Sequence, residues 1–232
     1  MIDIHSHILP FVDDGSASLE KSFALIKEEV ENGIDRIVLT PHYKSGHYET
    51  KPEKIKEVFE FFKNQVYEKI SGVKLFLGQE VYVDESVYNK IKNVNLITIN
   101  DTNCILIEFN FFDETDIQNY VYNIIKLGFT PIIAHIERYS YLDWSLLHVL
   151  KSMGALIQVN SDCIIGKYGK SFQKKALKAI KSGLIDFISS DLHFSRQCNM
   201  QKAYKIIAKK TSKEVADNLF VYNAEKHLNL IV

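Results

Sequence analysis

The sequence predicts an α/β barrel in which seven parallel strands alternate with helices. Seven short, near-continuous apolar runs recur along the 232 residues, as expected of parallel strands that are covered on both faces. Amphipathic stretches lie between the runs, and five of them end at a glycine, the residue that often terminates a helix. Seven strands in one direction favour a closed or nearly closed barrel. A doubly wound sheet remains the alternative, because strand order cannot be read from the sequence.

The apolar runs and the stretches between them define the predicted elements. The predicted strands are Ile2–His5, Arg36–Thr40, Lys74–Glu80, Cys104–Phe109, Pro131–His135, Leu156–Asn160 and Asp186–Ser190. The predicted helices, each followed within two residues by a glycine, are Ser18–Asn32, Pro52–Ile70, Asp113–Leu127, Leu142–Met153 and Phe172–Ser182. For residues 211–232 we expect a closing helix and an apolar end that packs on the barrel: Leu228, Leu230, Ile231 and Val232.

The composition excludes several classes of protein. Apolar residues make up 46%, enough for a sizeable core, so we expect one folded domain over residues 1–232. The 28 Lys and Arg nearly balance the 29 Asp and Glu, whereas a general nucleic-acid binder is usually more basic. The N-terminus does not have the pattern of a signal peptide, and no run is long enough to span a membrane. We therefore expect a cytoplasmic protein that binds no nucleic acid and has no integral membrane segment.

The three cysteines exclude two kinds of site. They are odd in number and have no Cys-x-x-Cys spacing, which argues against a disulfide framework or a cysteine zinc site. None of them begins the Cys-x5-Arg motif of cysteine-dependent phosphatases, and no Asp-x-Asp motif of an aspartyl-phosphate nucleophile occurs.

Histidines and carboxylates follow most of the predicted strands. The carboxyl ends of barrel strands meet at one mouth, where catalytic residues gather. The residues at these ends are His5, His7, Asp13, Asp14, His42, Glu80, Glu108, His135, Asp191 and His193. Imidazole and carboxylate together suit Zn, Mn or Fe. A carboxylate within an apolar strand, such as Glu108, is costly unless it is paired or bound to metal. The joint pattern therefore predicts a site for several metal ions.

Each motif alone also has a structural interpretation. His-x-His by itself is weak evidence for metal binding. His42 after a proline suits a turn, Glu80 suits a solvated strand end, and Glu108 suits an ion pair with a lysine.

Five aromatic residues are predicted to form a rim around the mouth that suits a tyrosine ring, and simple packing is their alternative role: Tyr43, Tyr48, Phe109, Phe111 and Phe112.

The motifs resemble those of the polymerase and histidinol phosphatase (PHP) superfamily. More closely, they are similar to bacterial protein-tyrosine phosphatases that act with the tyrosine kinases of capsule and exopolysaccharide synthesis. The matching stretches are MIDIHSHILPFVDDG at the N-terminus, TPH at 40–42, GQEVY at 78–82, LIEF at 106–109, PIIAHIERY at 131–139, QVNS at 158–161 and SSDLH at 189–193. The resemblance implies a distorted (β/α)7 barrel of the TIM type with a trinuclear metal site.

The resemblance also implies which residues hold the metals. The first ion would be held by His5, His7, Glu80 and Asp191, and Glu80 would bridge to a second ion held by Glu108 and His135. The third would be held by Asp14, His42 and His193, and the choice of Asp14 over Asp13 follows the family pattern alone. Two or three divalent ions are expected, with manganese first and iron, zinc, cobalt or magnesium as alternatives.

Two of the only three arginines belong to the matching region. Arg138 in HIERY resembles the phosphate-binding arginine of the family. Arg196 comes three residues after His193, in a loop that is shorter than usual for the family and has no proline, so a surface salt bridge is its alternative role. Arginine suits bidentate phosphate recognition better than lysine.

The resemblance implies hydrolysis of phosphotyrosine in a protein, with a bacterial tyrosine kinase as the expected substrate. A metal-activated hydroxide would attack the phosphate while Arg138 binds it. Two alternatives stay open at this stage. The first is a PHP phosphatase that acts on a small molecule such as histidinol phosphate, and the second is a metal-binding regulator without activity.

Overall fold

Parallel strands form the wall of a distorted barrel in the computed structural model, which describes residues 1–93 and 96–231. The strands are β1 (Ile2–Ser6), β2 (Arg36–Leu39), β3 (His42–Tyr43), β4 (Lys74–Leu77), β5 (Glu80–Tyr82), β6 (Cys104–Glu108), β7 (Thr130–Ile133), β8 (Leu156–Asn160) and β9 (Phe187–Ser189). One sheet has the order β1-β2-β4 and the other β3-β5-β6-β7-β8-β9, with all pairs parallel.

Two predicted strands end early, and each is followed by a second short strand. The predicted strand Arg36–Thr40 ends at Leu39, and Thr40 and Pro41 separate β2 from β3, since proline cannot donate to a ladder. The run 74–80 breaks at Gly78, where a Cβ would lie 3.0 Å from a side-chain carbon of Ile99. With the halves counted together, seven parallel strands follow one another around the barrel, as predicted. Backbone hydrogen bonds at Asp191 and His7 connect β9 to β1.

Ten α-helices are described; five of them match predicted helices with shifted ends, and α9 and α10 lie in the segment for which a closing helix is predicted. They are α1 (Leu19–Glu31), α2 (Pro52–Lys69), α3 (Val87–Lys92), α4 (Ile117–Lys126), α5 (Leu146–Met153), α6 (Ser161–Ile164), α7 (Lys170–Lys181), α8 (Met200–Lys210), α9 (Lys213–Asp217) and α10 (Asn223–Leu228). The predicted start of α4 at Asp113 is wrong, because Asp116 caps the helix by accepting the Asn119 N–H at 3.0 Å. No helix in these described ranges is both long and apolar enough to cross a membrane.

The C-terminal segment closes the end of the barrel opposite the mouth. Leu228 and Leu230 pack in the barrel interior with side chains of the strands. The Arg36 guanidinium donates to the Leu230 carbonyl and to Glu225, both at 2.6 Å. The predicted apolar end is thus correct for these leucines and wrong for Ile231, which is 71% exposed. Val232 lies outside the described residues.

A β-bulge in β1 decides what the first strand offers to the interior. Ile2 and Ile4 lie in the interior cluster, so strict alternation would turn His5 and His7 outward. The ladder between β1 and β2 shifts register between Asp3 and Ser6, which adds one residue to β1. Such a bulge changes which face later side chains take. The two histidines therefore point into the mouth.

Asp3 faces away from the mouth, toward α1, and meets a second buried acid. Its carboxylate accepts hydrogen bonds from the Ser190 hydroxyl and from the Ser190 N–H at 3.0 Å, which connects β1 to the segment after β9. Glu29 on α1 is fully buried beside it, and its oxygens have no hydrogen-bond partner among the described residues. Burial and the negative charge of Asp3 raise the pKa of Glu29 well above its ordinary value.

Replacing Glu29 by Gln should therefore stabilise the protein more as the pH rises. A carboxyl whose pKa is raised by folding contributes less stability as the pH climbs above its unfolded-state pKa, and Gln does not titrate. We expect the melting temperature of Glu29→Gln, relative to the parent, to increase from pH 5 to pH 8. Glu31→Gln, an exposed change on the same helix, should give a flat difference. A flat difference for Glu29→Gln as well would contradict the buried-acid interpretation.

Candidate metal centre

The Glu80 carboxylate lies at the centre of the mouth. One of its oxygens, Oε2, is 3.3 Å from His5 Nε2, 3.2 Å from His7 Nε2 and 3.0 Å from His42 Nδ1. The other, Oε1, is 2.8 Å from His135 Nε2. The start of β5, where the strand 74–80 breaks, thus places one carboxylate among four imidazoles.

Two further carboxylates complete this group. Asp191 Oδ1 is 3.7 Å from the Nε2 atoms of both His5 and His7. Glu108, at the end of β6, has its oxygens 3.7 Å from His42 and 3.6 Å from His135. The period of two along β6 aligns Glu108 with Leu106 below it, so that the strand is apolar in the barrel and acidic at the mouth.

The arrangement fits divalent cations. The Nε2 atoms of His5 and His7 face each other at 3.1 Å, a contact that a shared cation would relieve. Three sets of ligand atoms each lie within 4.8 Å of one another: His5, His7 and Glu80; His42, Glu80 and Glu108; and His7, His42 and His193. Imidazole and carboxylate are the donors that Zn, Mn and Fe take.

The pKa values of the histidines and carboxylates in the centre also favour a bound cation. Burial disfavours the charged imidazole, but Glu80 outweighs it and raises the pKa of His5 to about 9 and that of His42 to about 10. Burial and the charge of Glu80 raise the pKa of Glu108 to about 7. Without metal, protons on histidine therefore balance the carboxylates, and a bound cation would take that role because its ligands must be deprotonated.

Asp13 organises the ligands from behind. It is buried, and its Oδ2 lies 2.8 Å from His7 Nδ1 and accepts the His42 N–H at 3.0 Å. A proton on His7 Nδ1 leaves Nε2 free to bind a metal. Burial would raise the pKa of Asp13, but the hydrogen bond from His7 outweighs it and lowers the pKa to about 2. Gly15 allows this turn, because a Cβ there would lie 2.1 Å from the His7 carbonyl oxygen.

Strand β8 supplies two amides that hold ligands from other strands. Gln158 Oε1 accepts the His135 N–H at 2.7 Å and lies 3.3 Å from His5 Nδ1. Gln158 Nε2 donates to Asn160 Oδ1, and Asn160 Nδ2 donates to Asp191 Oδ2 at 2.9 Å. Both amides are buried. This chain of hydrogen bonds fixes three ligands from a strand that offers none itself.

Two of the ligand residues adopt unusual backbone conformations. His135 has φ 31° and Asp191 has φ 51°, in the left-handed region that residues other than glycine rarely occupy. Such strain persists only where the surroundings hold it, and it is concentrated at functional sites. The contact of Gln158 with His135 and that of Asn160 with Asp191 stabilise these two conformations.

The centre opens into a cavity of about 320 Å³ with two guanidinium groups on its wall. Arg138 lies over the Phe111 ring at 4.0 Å and is 3.5 Å from Asp191 Oδ2. Arg196 donates to the Asp191 carbonyl at 2.8 Å and pairs with its carboxylate at 2.5 Å. The short loop after His193 therefore still brings Arg196 to the mouth.

The family model described as capsular polysaccharide synthesis, CpsB/CapC, matches residues 1–229. The chain belongs to the CpsB/CapC family. Among its curated relatives, the tyrosine-protein phosphatase CpsB of Streptococcus pneumoniae is 38% identical over 236 residues, 97% of each chain. The tyrosine-protein phosphatase YwqE of Bacillus subtilis is 31% identical over 220 residues, 93% of this chain and 87% of the relative. The resemblance that the sequence motifs indicate is thus confirmed.

Solved structures agree with this membership. One described among crystal structures of YwqE from Bacillus subtilis and CpsB from Streptococcus pneumoniae, unique metal-dependent tyrosine phosphatases, has a TM-score of 0.91 at 31% identity, covering 100% of this chain and 96% of that one. A histidinol phosphate phosphatase from Lactococcus lactis, complexed with zinc, L-histidinol and phosphate, has a TM-score of 0.59 at 14% identity, covering 90% and 92%. The second match shows the shared fold alone.

The structure gathers the predicted ligands of this CpsB/CapC protein at the mouth, with Asp14 at the edge. Asp14 is 54% exposed and lies 3.7 Å from His42 Nε2, whereas Asp13 is buried behind His7. Which ion each residue holds stays a prediction. The sequence analysis did not identify Gln158 and Asn160. Both follow Leu156 at intervals of two residues on one strand, so the inward position of Leu156 was a signal that their side chains also point inward. His47 also lines the cavity, although it does not follow a predicted strand.

The predicted aromatic rim is partly wrong. Tyr43 and Phe109 are buried in the core between the strands and the helices, since each lies in or directly after a strand. Tyr48 and Phe111 do line the cavity, and Phe112 is 84% exposed beyond it.

Exchanging the neighbouring aspartates for Asn should separate their roles. Asp13→Asn should lower metal content at more than one position, because His7 and His42 both lose the anion that orients them. Asp14→Asn should affect at most the ion beside His42. Metal content by atomic emission checks both, and equal losses would contradict the distinction.

Gln158→Leu should weaken metal retention by about 10- to 100-fold, the usual cost of losing a partner behind the ligands. His5 and His135 then lose the same buried acceptor, while no ligand atom is removed. Metal affinity measured by competition with a chelator checks this. Gln118→Leu, an exposed change on α4, is the control. An unchanged affinity for Gln158→Leu would argue against its role in holding His5 and His135.

Proposed function

We propose that the chain is a metal-dependent phosphatase that hydrolyses phosphotyrosine in proteins. The observation that carries the proposal is the pairing of Arg138 and Arg196 with a cluster of metal ligands at the wall of one cavity. A phosphate dianion needs cations on several sides, and this mouth offers guanidinium forks beside divalent ions. The membership in the CpsB/CapC family supports the same reaction.

We propose two or three divalent ions, with manganese first and iron, zinc, cobalt or magnesium as alternatives. The proposed ligands are His5, His7, Asp14, His42, Glu80, Glu108, His135, Asp191 and His193. When bound, such ions supply Lewis acidity and lower the pKa of bound water. The chain contributes buried carboxylates of fixed orientation and histidines whose free nitrogen is selected by Asp13 and Gln158.

The arginines would bind and orient the phosphate. Arg138 rests on the Phe111 ring, which holds its planar fork without using all its donors. Arg196 is fixed by both the carbonyl and the carboxylate of Asp191. Preorganised donors of this kind stabilise charge on the equatorial oxygens during displacement.

The remaining wall suits an aromatic leaving group. Phe111 lines the cavity on one side, and Tyr48, stacked on His42 at 5.6 Å, lines it as well. A phenol has a pKa near 10, so its departure as phenolate needs less acid assistance than the departure of an aliphatic alcohol. These features favour phosphotyrosine over phosphoserine.

The finer parts of the proposal concern the partner and the location. The expected substrate is a tyrosine kinase of capsule or exopolysaccharide synthesis, since the family takes its description from capsular polysaccharide synthesis. We treat residues 1–232 as one phosphatase domain. The cytoplasmic location expected from the sequence stays a prediction.

The purified protein should release phosphate from a phosphotyrosine peptide, lose activity with a chelator and recover it with Mn²⁺. Arg138→Ala should lower kcat/KM by about 100- to 1,000-fold with metal content unchanged, because it removes donors to the developing charge. Arg138→Lys should recover only part of this loss, since an ammonium cannot form the bidentate fork.

Three outcomes would contradict the proposal. Full activity without metal would exclude the metal centre, and an unchanged kcat/KM in Arg138→Ala would exclude the role of this arginine. A higher kcat/KM on histidinol phosphate than on the peptide would favour the small-molecule alternative. Stoichiometric metal with no turnover of either substrate would favour a regulator.

A further inference from the structure

Charge is distributed very unevenly along this nearly neutral chain. Residues 164–213 contain 12 Lys and Arg but only two acids, Asp186 and Asp191, whereas residues 1–163 contain 15 Lys and Arg and 24 Asp and Glu. Asp186 is paired with Lys151 at 2.6 Å, and Asp191 belongs to the metal centre. Neither acid offsets the surface lysines of residues 164–213.

The lysines form stripes on two helices. Along α7 they recur at intervals of four, four and three residues, and along α8 at three and four, so each set lies on one side of its helix. The exposed lysines of these two helices, together with Lys213 at the start of α9, form what we term the lysine face: Lys170, Lys174, Lys175, Lys178, Lys181, Lys202, Lys205, Lys209, Lys210 and Lys213.

The lysine face lies on the flank of the barrel. Both α7 and α8 contact α6 and flank strand β9 along the chain. Each helix begins at the mouth end and runs toward the opposite end, about 18 Å for the twelve residues of α7. The face therefore extends away from the mouth and leaves the cavity open.

On helix α2, by contrast, lysines form ion pairs with neighbouring acids. On α2, Lys54 pairs with Glu57 at 2.9 Å and Lys63 with Glu60 at 2.6 Å. In the described parts of the chain, no lysine of the lysine face has an ion pair. Such an array repels itself, so it is favoured where an outside anion neutralises it.

The only tryptophan of the chain lies at the edge of the lysine face. Trp144, which is half-buried, lines a shallow cavity of about 450 Å³ together with His148, Lys175 and Lys178. Indole rings prefer the interface between water and lipid, where one edge is apolar and the other is wet.

We propose that the lysine face binds the surface of an anionic lipid bilayer, with Trp144 at the level of the headgroups. Lysine is a compact, hydrated charge that suits a diffuse anionic surface, whereas arginine forks suit single phosphates and carboxylates, and the face has no arginine. Two helices that both contact α6 offer a broad area with many charges. The bound barrel would lie on its flank, with the mouth accessible to proteins at that surface.

Sedimentation with vesicles tests the proposal. The metal-loaded protein should sediment with vesicles of phosphatidylglycerol and phosphatidylcholine, but not with phosphatidylcholine alone, at 0.1 to 0.15 M salt. Its Trp emission should shift to shorter wavelength, and binding should weaken steeply with salt. The variant Lys174→Glu, Lys178→Glu, Lys205→Glu, Lys209→Glu should bind about tenfold more weakly or worse, since each lysine adds to the attraction.

A second variant separates position from total charge. Lys27→Glu, Lys56→Glu, Lys74→Glu, Lys92→Glu changes the net charge equally at exposed sites elsewhere, and it should bind nearly as the parent does. Unchanged turnover of p-nitrophenyl phosphate and an unchanged melting temperature verify that both variants are folded. Equal losses in the two variants, or no binding by the parent, would overturn the proposal. Binding to polyglutamate but not to the vesicles would show an acidic protein partner instead.

Discussion

The buried carboxylate of Glu80 is the constraint on which the mouth of this barrel depends. Its two oxygens lie within hydrogen-bonding or ion-pair distance of His5, His7, His42 and His135, which come from the ends of three different strands, β1, β3 and β7. Burying so many ionisable groups together is costly unless cations compensate them. The break at Gly78 that begins β5 is therefore a functional feature, because it delivers Glu80 to this point.

Several local irregularities serve the same arrangement. The bulge in β1 turns two histidines inward, and the left-handed conformations of His135 and Asp191 direct two more ligands. Gln158 holds His135 through its backbone and Asn160 holds Asp191 through its carboxylate. The strain is thus concentrated where the hydrogen-bond network is densest, which is the usual place for it in an active site.

The apolar core and the polar candidate site lie at opposite ends of the barrel axis. Its lower interior is apolar and is closed by Leu228 and Leu230, while the upper interior is polar. The same division is visible along single strands, as in Cys104, Leu106 and Glu108 of β6. Charge is separated as well. Residues 1–163 contain more acids than lysines and arginines, whereas the lysine face is basic, although the whole chain is nearly neutral.

The number of strand runs, their parallel direction and the residues that meet at the mouth could all be predicted from the sequence, because they depend on short-range patterns. Apolar runs, helix-terminating glycines and polar strand ends are visible without knowing any contact. The folded structure was needed to show that Asp13 lies behind His7 while Asp14 is exposed, since adjacent aspartates in one loop have the same local pattern. It also decided the bulge, the split strands and the roles of Gln158 and Asn160, because each depends on partners from distant parts of the chain.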